Sequence, residues 1–81
     1  MARLRYQQVV MNIETEQNLD IDDVYEAVMK EVGSGVNRLA VRECTSSYFI
    51  ITYENPLLMH IKDHIIRVIE SLEGLQEDKE D

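Results

Sequence analysis

Cysteine, basic side chains and long apolar runs are all scarce in this chain of 81 residues. Its one cysteine, Cys44, cannot form an internal disulfide. No N-terminal apolar run resembles a signal peptide or a membrane span, and no repeat, low-complexity run or long linker interrupts the sequence. These absences predict one small soluble domain in the cytoplasm, without a membrane partner.

Basic residues are outnumbered two to one. Eight Lys and Arg residues face sixteen Asp and Glu residues, which gives a net charge of −8. That charge opposes attraction to phosphate backbones, so direct nucleic-acid binding by the whole surface is disfavoured. The acidic residues concentrate in residues 16–32 and 76–81. Residues 1–75 are predicted to form the domain, and residues 76–81 a disordered acidic tail.

Apolar periodicity predicts the first two elements. In residues 3–14, Val9, Met11 and Ile13 recur at period two, which is typical of a half-buried strand. Asp20 is placed as the N-cap of a following helix, and Gly33 as its end. The apolar stripe of that helix consists of Ile21, Val24, Tyr25, Val28 and Val32.

The remaining elements are a hairpin and a second helix. Residues 37–44 and 47–54 are predicted strands, and the second is apolar on both faces, which favours a central position. Asn55 and Pro56 are interpreted as the cap and first residue of a helix that ends before Gly74. The expected fold is α+β, β-α-β-β-α, with a three-stranded antiparallel sheet (order 1-3-2) and two helices on one face.

The second helix has more apolar surface than one sheet can cover. Its main stripe is Leu57, Ile61, Ile65, Val68 and Leu72. Beside or opposite that stripe lie Leu58, Met59, Ile66 and Ile69. Exposed apolar patches mark interaction sites, so these four residues are predicted to bind a protein partner in a homodimer or heterodimer.

Three short motifs point to chemistry, and each has a simpler interpretation. His60 and His64 have the i, i+4 spacing of zinc ligands but lack a third ligand, so we expect solvated or interface histidines. Cys44 has no adjacent base to activate it. Gly33-Ser34-Gly35 follows a helix, whereas phosphate-binding loops precede one. The sequence therefore predicts no catalytic residues, no metal and no cofactor.

Four arginines lie in the predicted outer strands: Arg3, Arg5, Arg38 and Arg42. On an open sheet face they would flank Tyr48 or Phe49 and form an anion-binding surface like sheets that stack bases on aromatic rings. Alternatively, they protect the edges and pair with Glu14 and Glu43, and the sequence favours this second interpretation.

The order of elements resembles one family, the small dimer-forming subunit of KEOPS, the complex that installs threonylcarbamoyl on adenosine in tRNA. The resemblance covers the helix around 24–28, the strand 47–53 and the helix 57–72. Where the family often has Leu-Arg and, four residues later, Asn, this chain has Leu58-Met59 and Asp63, as in a divergent paralogue.

The resemblance implies a non-catalytic subunit that dimerises and uses its helices to hold the catalytic subunit, with any tRNA contact shared across the complex. A second hypothesis comes from the charge: an acidic inhibitor of viral or plasmid type that mimics nucleic acid. Such a mimic would array carboxylates at phosphate-like spacing on one surface, whereas a complex subunit would expose a contiguous apolar patch.

Overall fold

The predicted order of elements is confirmed in a computed structural model that describes residues 6–56 and 61–78, with side chains at 7–55 and 61–76. Along the chain, the elements are β1 (Tyr6–Glu14), α1 (Ile21–Val32), a 3-10 turn (Gly33–Gly35), β2 (Asn37–Thr45), β3 (Tyr48–Pro56) and α2 (Lys62–Asp78).

The sheet is antiparallel with the order β1-β3-β2, as predicted. Pairing of β1 with β3 runs without interruption from Tyr6 opposite Pro56 to Glu14 opposite Tyr48. Pairing of β2 with β3 is less regular, because its register shifts between Asn37 and Ala40 and again near Thr45. The central strand is therefore β3, whose two faces both carry apolar side chains.

The core lies between the helices and one face of the sheet. Its buried apolar side chains are Val9, Met11, Leu19, Val24, Val28, Val32, Phe49, Ile51, Tyr53, Ile61, Ile65 and Ile69. Strand side chains alternate between faces, so Val10, Ala40, Ile50 and Thr52 lie on the opposite face, which no described element covers.

Helix α1 begins where the sequence predicts. The Asp20 carboxylate accepts a hydrogen bond from the backbone N–H of Asp22 (2.8 Å), which satisfies one of the free donors of the first turn. The helix ends at Val32, but Gly33 keeps a right-handed conformation (φ −59°) and the chain continues as the 3-10 turn. The left-handed conformation belongs instead to Arg38, with φ 55°.

The predicted start and end of the second helix are wrong. Asn55 and Pro56 belong to β3, opposite Gln7 and Tyr6, so sheet pairing overrides the local cap-and-proline signal. Helix α2 continues through Gly74 to Asp78 and therefore includes the first three residues of the predicted tail. A Cβ at Gly74 would meet nothing within 4 Å, so no close contact requires this glycine. Over the described residues, neither helix is long and apolar enough to cross a membrane.

Backbone hydrogen bonds join the loop after β1 to the hairpin turn. Thr15 N–H donates to the carbonyl of Ser47, and Leu19 N–H donates to the carbonyl of Ser46, each at 2.8 Å. The turn lies at Ser46 and Ser47, one residue later than predicted. These bonds fix the entry to α1 against the sheet, and Leu19 is buried beneath it.

Candidate functional site

A groove separates α1 from the C-terminal half of α2. It encloses about 390 Å³. Its apolar lining comes from Leu19 and Ala27 on the α1 side and from Leu72 and Leu75 on α2. Leu75 is 60% exposed, the largest value among the exposed large apolar side chains of the described residues. The groove between the two helices thus presents apolar surface to solvent.

The α1 side of the groove is acidic. Asp20, Asp23 and Glu26 line it, and Lys30 is the one basic residue that the described part of the chain contributes to the lining. All four are exposed. A spacing of three residues brings Asp23 and Glu26 to neighbouring positions on one side of the helix. This arrangement gives the groove an apolar floor and a negative rim, which attracts a cationic partner and repels an anionic one.

A second acidic group lies where β1 ends against α2. Glu14, Glu16, Glu70 and Glu73 line a hollow of about 420 Å³, and we call these four residues the acidic corner. The backbone N–H of Glu16 donates to Oε2 of Glu73 at 3.0 Å, which fixes that side of α2 beside the end of β1. Within the described part of the chain, no basic side chain lines this hollow.

The predicted partner-binding residues of the second helix separate in the structure. Leu58 and Met59 lie outside the described residues. Ile66 is 41% exposed. Ile69 is 2% exposed and belongs to the core, so its assignment to an exposed surface is corrected. The reason is helical geometry, because Ile69 stands one turn after the buried Ile65 and continues the same stripe.

The arginines do not form one surface over the described residues. Arg3 and Arg5 precede the described region. Arg38 is exposed within the irregular part of β2 and forms an ion pair with Glu54 (3.9 Å), not with Glu14 or Glu43. Arg42 lies opposite Ile50 on the uncovered sheet face.

Of the two aromatic residues predicted beside the arginines, Phe49 is fully buried, so its role as an exposed stacking platform is corrected. Tyr48 is half-buried and lies opposite Glu14. Because strand side chains alternate, Phe49 must face the helices when its neighbours Tyr48 and Ile50 face away from them. Among the strand residues whose side chains the structure describes, Tyr48 is therefore the one aromatic residue on the uncovered face.

The remaining candidate groups are dispersed. His64 and Cys44 are exposed, and His60 lies outside the described residues. Within residues 6–56 and 61–78, no three His, Cys, Asp or Glu side chains are grouped so as to hold a metal ion. Gly33 follows α1, as predicted, and Met29 packs against it.

Sequence reasoning missed Leu75 and Val10. Leu75 follows Val68 and Leu72 at helical spacing, but the glycine signal at Gly74 predicts that the helix ends before Leu75. Val10 belongs to the first strand, whose period-two apolar pattern identifies only its neighbours on the covered face. It is 56% exposed. Both residues are apolar, exposed and outside the stripes that define the core.

Together, the fold and the groove define a small α+β domain in which Leu75 and Val10 are the two most exposed large apolar side chains of the described residues. Comparison with known proteins found no family model, no curated protein and no solved structure that matches the chain. The geometry of these surfaces therefore supplies the argument about function.

Proposed function

We propose that this protein is a non-catalytic interaction subunit that dimerises and scaffolds a cytoplasmic tRNA-modifying complex of the KEOPS type. The observation that carries the proposal is the groove between α1 and α2, where Leu75 stands exposed beside an acidic rim. The element order and the segments that resemble the KEOPS small subunit support the choice of complex.

The groove suits a helix or loop of a partner protein. Burying a leucine side chain contributes about 1.5–3 kcal/mol before the cost of association, so Leu75 is a candidate anchor. Asp20, Asp23 and Glu26 then favour a partner whose own contact surface is basic. A catalytic subunit that binds tRNA has basic surfaces of this kind, and the present subunit holds it without contributing catalytic groups.

A mutation at Leu75 tests partner binding. Tagged protein is purified from cells of the source organism together with its stoichiometric partner, and Leu75→Asp is compared with Tyr25→Asp. Tyr25 is a partly exposed apolar residue of α1 that does not line the groove. We expect Leu75→Asp to lower partner recovery by about tenfold or more, because a carboxylate is buried unpaired at the interface. Equal losses in both variants would contradict the assignment of the groove.

The kind of complex is tested separately, by the nucleoside itself. Depletion of the protein should lower the threonylcarbamoyladenosine content of digested tRNA, measured by liquid chromatography and mass spectrometry. Wild-type protein and Tyr25→Asp should restore it, and Leu75→Asp should not. An unchanged nucleoside content after full depletion would exclude the tRNA-modification role while leaving groove binding intact.

The acidic corner favours one other candidate, the nucleic-acid mimic. Its four carboxylates are grouped in one hollow, and none of the described residues that line this hollow is basic. In that case the double substitution Glu70→Gln and Glu73→Gln would abolish partner binding, and Leu75→Asp would leave it unchanged. The subunit proposal expects the opposite order of effects.

A further inference from the structure

A cavity of about 330 Å³ lies at the end of the core where β1 and α2 begin and β3 ends. Gln7 and Val9 line it from β1, and Tyr53 and Asn55 line it from β3. The first turn of α2 completes the lining. Among the described residues, this cavity and the groove at Leu75 share no lining residue, so the two sites are separate.

One polar group in the cavity lining is buried without a hydrogen bond. The Tyr53 side chain is 2% exposed. Its hydroxyl makes no hydrogen bond within the described part of the chain. Burial raises the pKa of this hydroxyl above 10.0, so it is protonated at neutral pH and can donate. Because a buried hydroxyl without a partner is costly, a molecule in the cavity that bonds to it would be stabilised there.

The first turn of α2 contributes one charge of each sign to the cavity. Lys62 and Asp63 both line it, and both are exposed. The buried hydroxyl of Tyr53 belongs to the core side of the same lining. The cavity thus combines a cation and an anion at its exposed side with a neutral polar group at its buried side.

We propose that this cavity binds a free α-amino acid with an uncharged polar side chain. The carboxylate of the ligand pairs with Lys62, its ammonium group pairs with Asp63, and its side chain bonds to the hydroxyl of Tyr53. This binding site goes beyond the proposed function, which involves the groove alone.

Size and charge favour an amino acid over other small molecules. Pockets for small ligands have volumes of about 300–1,000 Å³, so this cavity suits a compact ligand. Nucleotides and sugar phosphates are anionic, and the net charge of −8 on the chain repels them. A zwitterion has no net charge and matches both charges of the first turn of α2. An apolar side chain such as that of leucine would leave the Tyr53 hydroxyl without a partner, which favours a polar one.

Binding is tested with single amino acids and their blocked derivatives. Asparagine, glutamine, serine and threonine are each titrated into the ¹⁵N-labelled chain, and amide chemical shifts give the affinity. Leucine is the control for side-chain polarity. The amide of the tightest binder lacks the carboxylate, and its N-acetyl derivative lacks the ammonium group. We expect the tightest binder to exceed leucine and both derivatives in affinity by about tenfold.

Three substitutions remove one contact each. Tyr53→Phe removes only the hydroxyl and should abolish the roughly tenfold preference for the polar amino acid over leucine. Lys62→Gln should weaken binding of the free amino acid about threefold, the effect of an exposed ion pair, without weakening binding of its amide. Asp63→Asn should show the same selectivity towards the N-acetyl derivative. Loss of fold alone would not produce this dependence on the ligand.

Matched substitutions on α1, outside the cavity, are the controls: Tyr25→Phe, Lys30→Gln and Asp22→Asn. Each should leave binding unchanged within about twofold. Circular dichroism melts check that all six variants fold.

Three outcomes would overturn the inference: no binding of any of the four polar amino acids at millimolar concentration, tighter binding of adenosine monophosphate than of every amino acid, or equal losses in the cavity and control variants. None of them affects the Leu75 experiment, because the cavity and the groove have no described lining residue in common. Failure of this inference and failure of the proposed function are therefore distinguishable.

Discussion

Strands β1 and β2 flank the same central strand, yet they differ in almost every property that governs a sheet edge. β1 is regular, uncharged through Ile13, and buries Val9 and Met11 in the core. β2 carries three charged side chains and two register shifts, and none of its side chains is fully buried. Strand β1 therefore contributes strongly to the core while its outer edge remains open to pairing. The charges and register shifts of β2 hinder pairing at the other edge.

The difference shows how a small domain can combine solubility with a specific contact. A chain of this size buries only about 60% of its unfolded surface, so association is a natural source of further stability. Restricting the open edge to one strand would limit any such association to a closed pair. A sheet with two unprotected edges would instead add copies without end.

The largest expected effect on stability concerns the helix-covered face of β1 and β2. On that face, Met11 of β1 and Val41 of β2 both lie opposite Ile51. Met11→Ala should lower the free energy of unfolding by about 2–5 kcal/mol, because Met11 is buried and leaves a cavity. Val41→Ala should cost roughly 1 kcal/mol, because Val41 is only partly buried. Urea denaturation at matched protein concentration measures both. Equal losses would show that β2 is as firmly anchored as β1.

A smaller effect should distinguish the two arginines of β2. Arg38 adopts φ 55°, which costs a residue with a Cβ about 1–2 kcal/mol, and glycine removes that cost. Arg42 lies in regular pairing, where glycine is destabilising by roughly 0.5–1 kcal/mol. Arg38→Gly should therefore be neutral or stabilising in a thermal melt, and Arg42→Gly destabilising. The reverse order would mean that the irregularity of β2 is not a feature of the folded protein in solution.

The smallest effect is expected only at alkaline pH. It concerns Tyr53 of β3, which lies where the pairing with β1 is regular and the pairing with β2 is interrupted. Tyr53 lies opposite Val9, and burial raises the pKa of its hydroxyl above the ordinary value of 10.0. As the pH rises, the Tyr53 hydroxyl therefore loses its proton in the unfolded chain before it does so in the folded protein. The free energy of unfolding should be unaffected below pH 10 and should fall as the pH rises from there through the folded-state pKa. Tyr53→Phe should reduce that alkaline loss, measured by urea denaturation from pH 9 to 11. An unchanged pH profile would contradict the burial of the hydroxyl.

Local signals in the sequence were sufficient for much of the fold. Asp20 and the stripe that follows it predict α1 to the residue, since a cap and a helical period are both short-range features. The sheet order follows from β3 being apolar on both faces, as a central strand requires. Asn55 and Pro56 were misassigned because their partners, Gln7 and Tyr6, lie about fifty positions earlier in the chain, and no local pattern shows that pairing.

The candidate sites depended more strongly on the fold. Asp23 and Leu75 meet in one groove only because α1 packs beside α2. Ile69 and Ile66 have similar apolar character in the sequence, and the rotation of α2 about its own axis, with Ile65 and Ile69 facing the core, decides which one is buried. The open edge of β1 is the exception. The sequence itself shows that residues 6–13 are uncharged. Only the structure shows that the other edge strand, β2, is irregular in its pairing, so that the two edges differ.

The exposed thiol of Cys44 is a native attachment point for a label. It stands near the end of β2, and no other cysteine of the chain competes with it. A spin label on the unmodified sequence would therefore report the separation of two copies of β2 in any dimer, without a substitution that could perturb the fold.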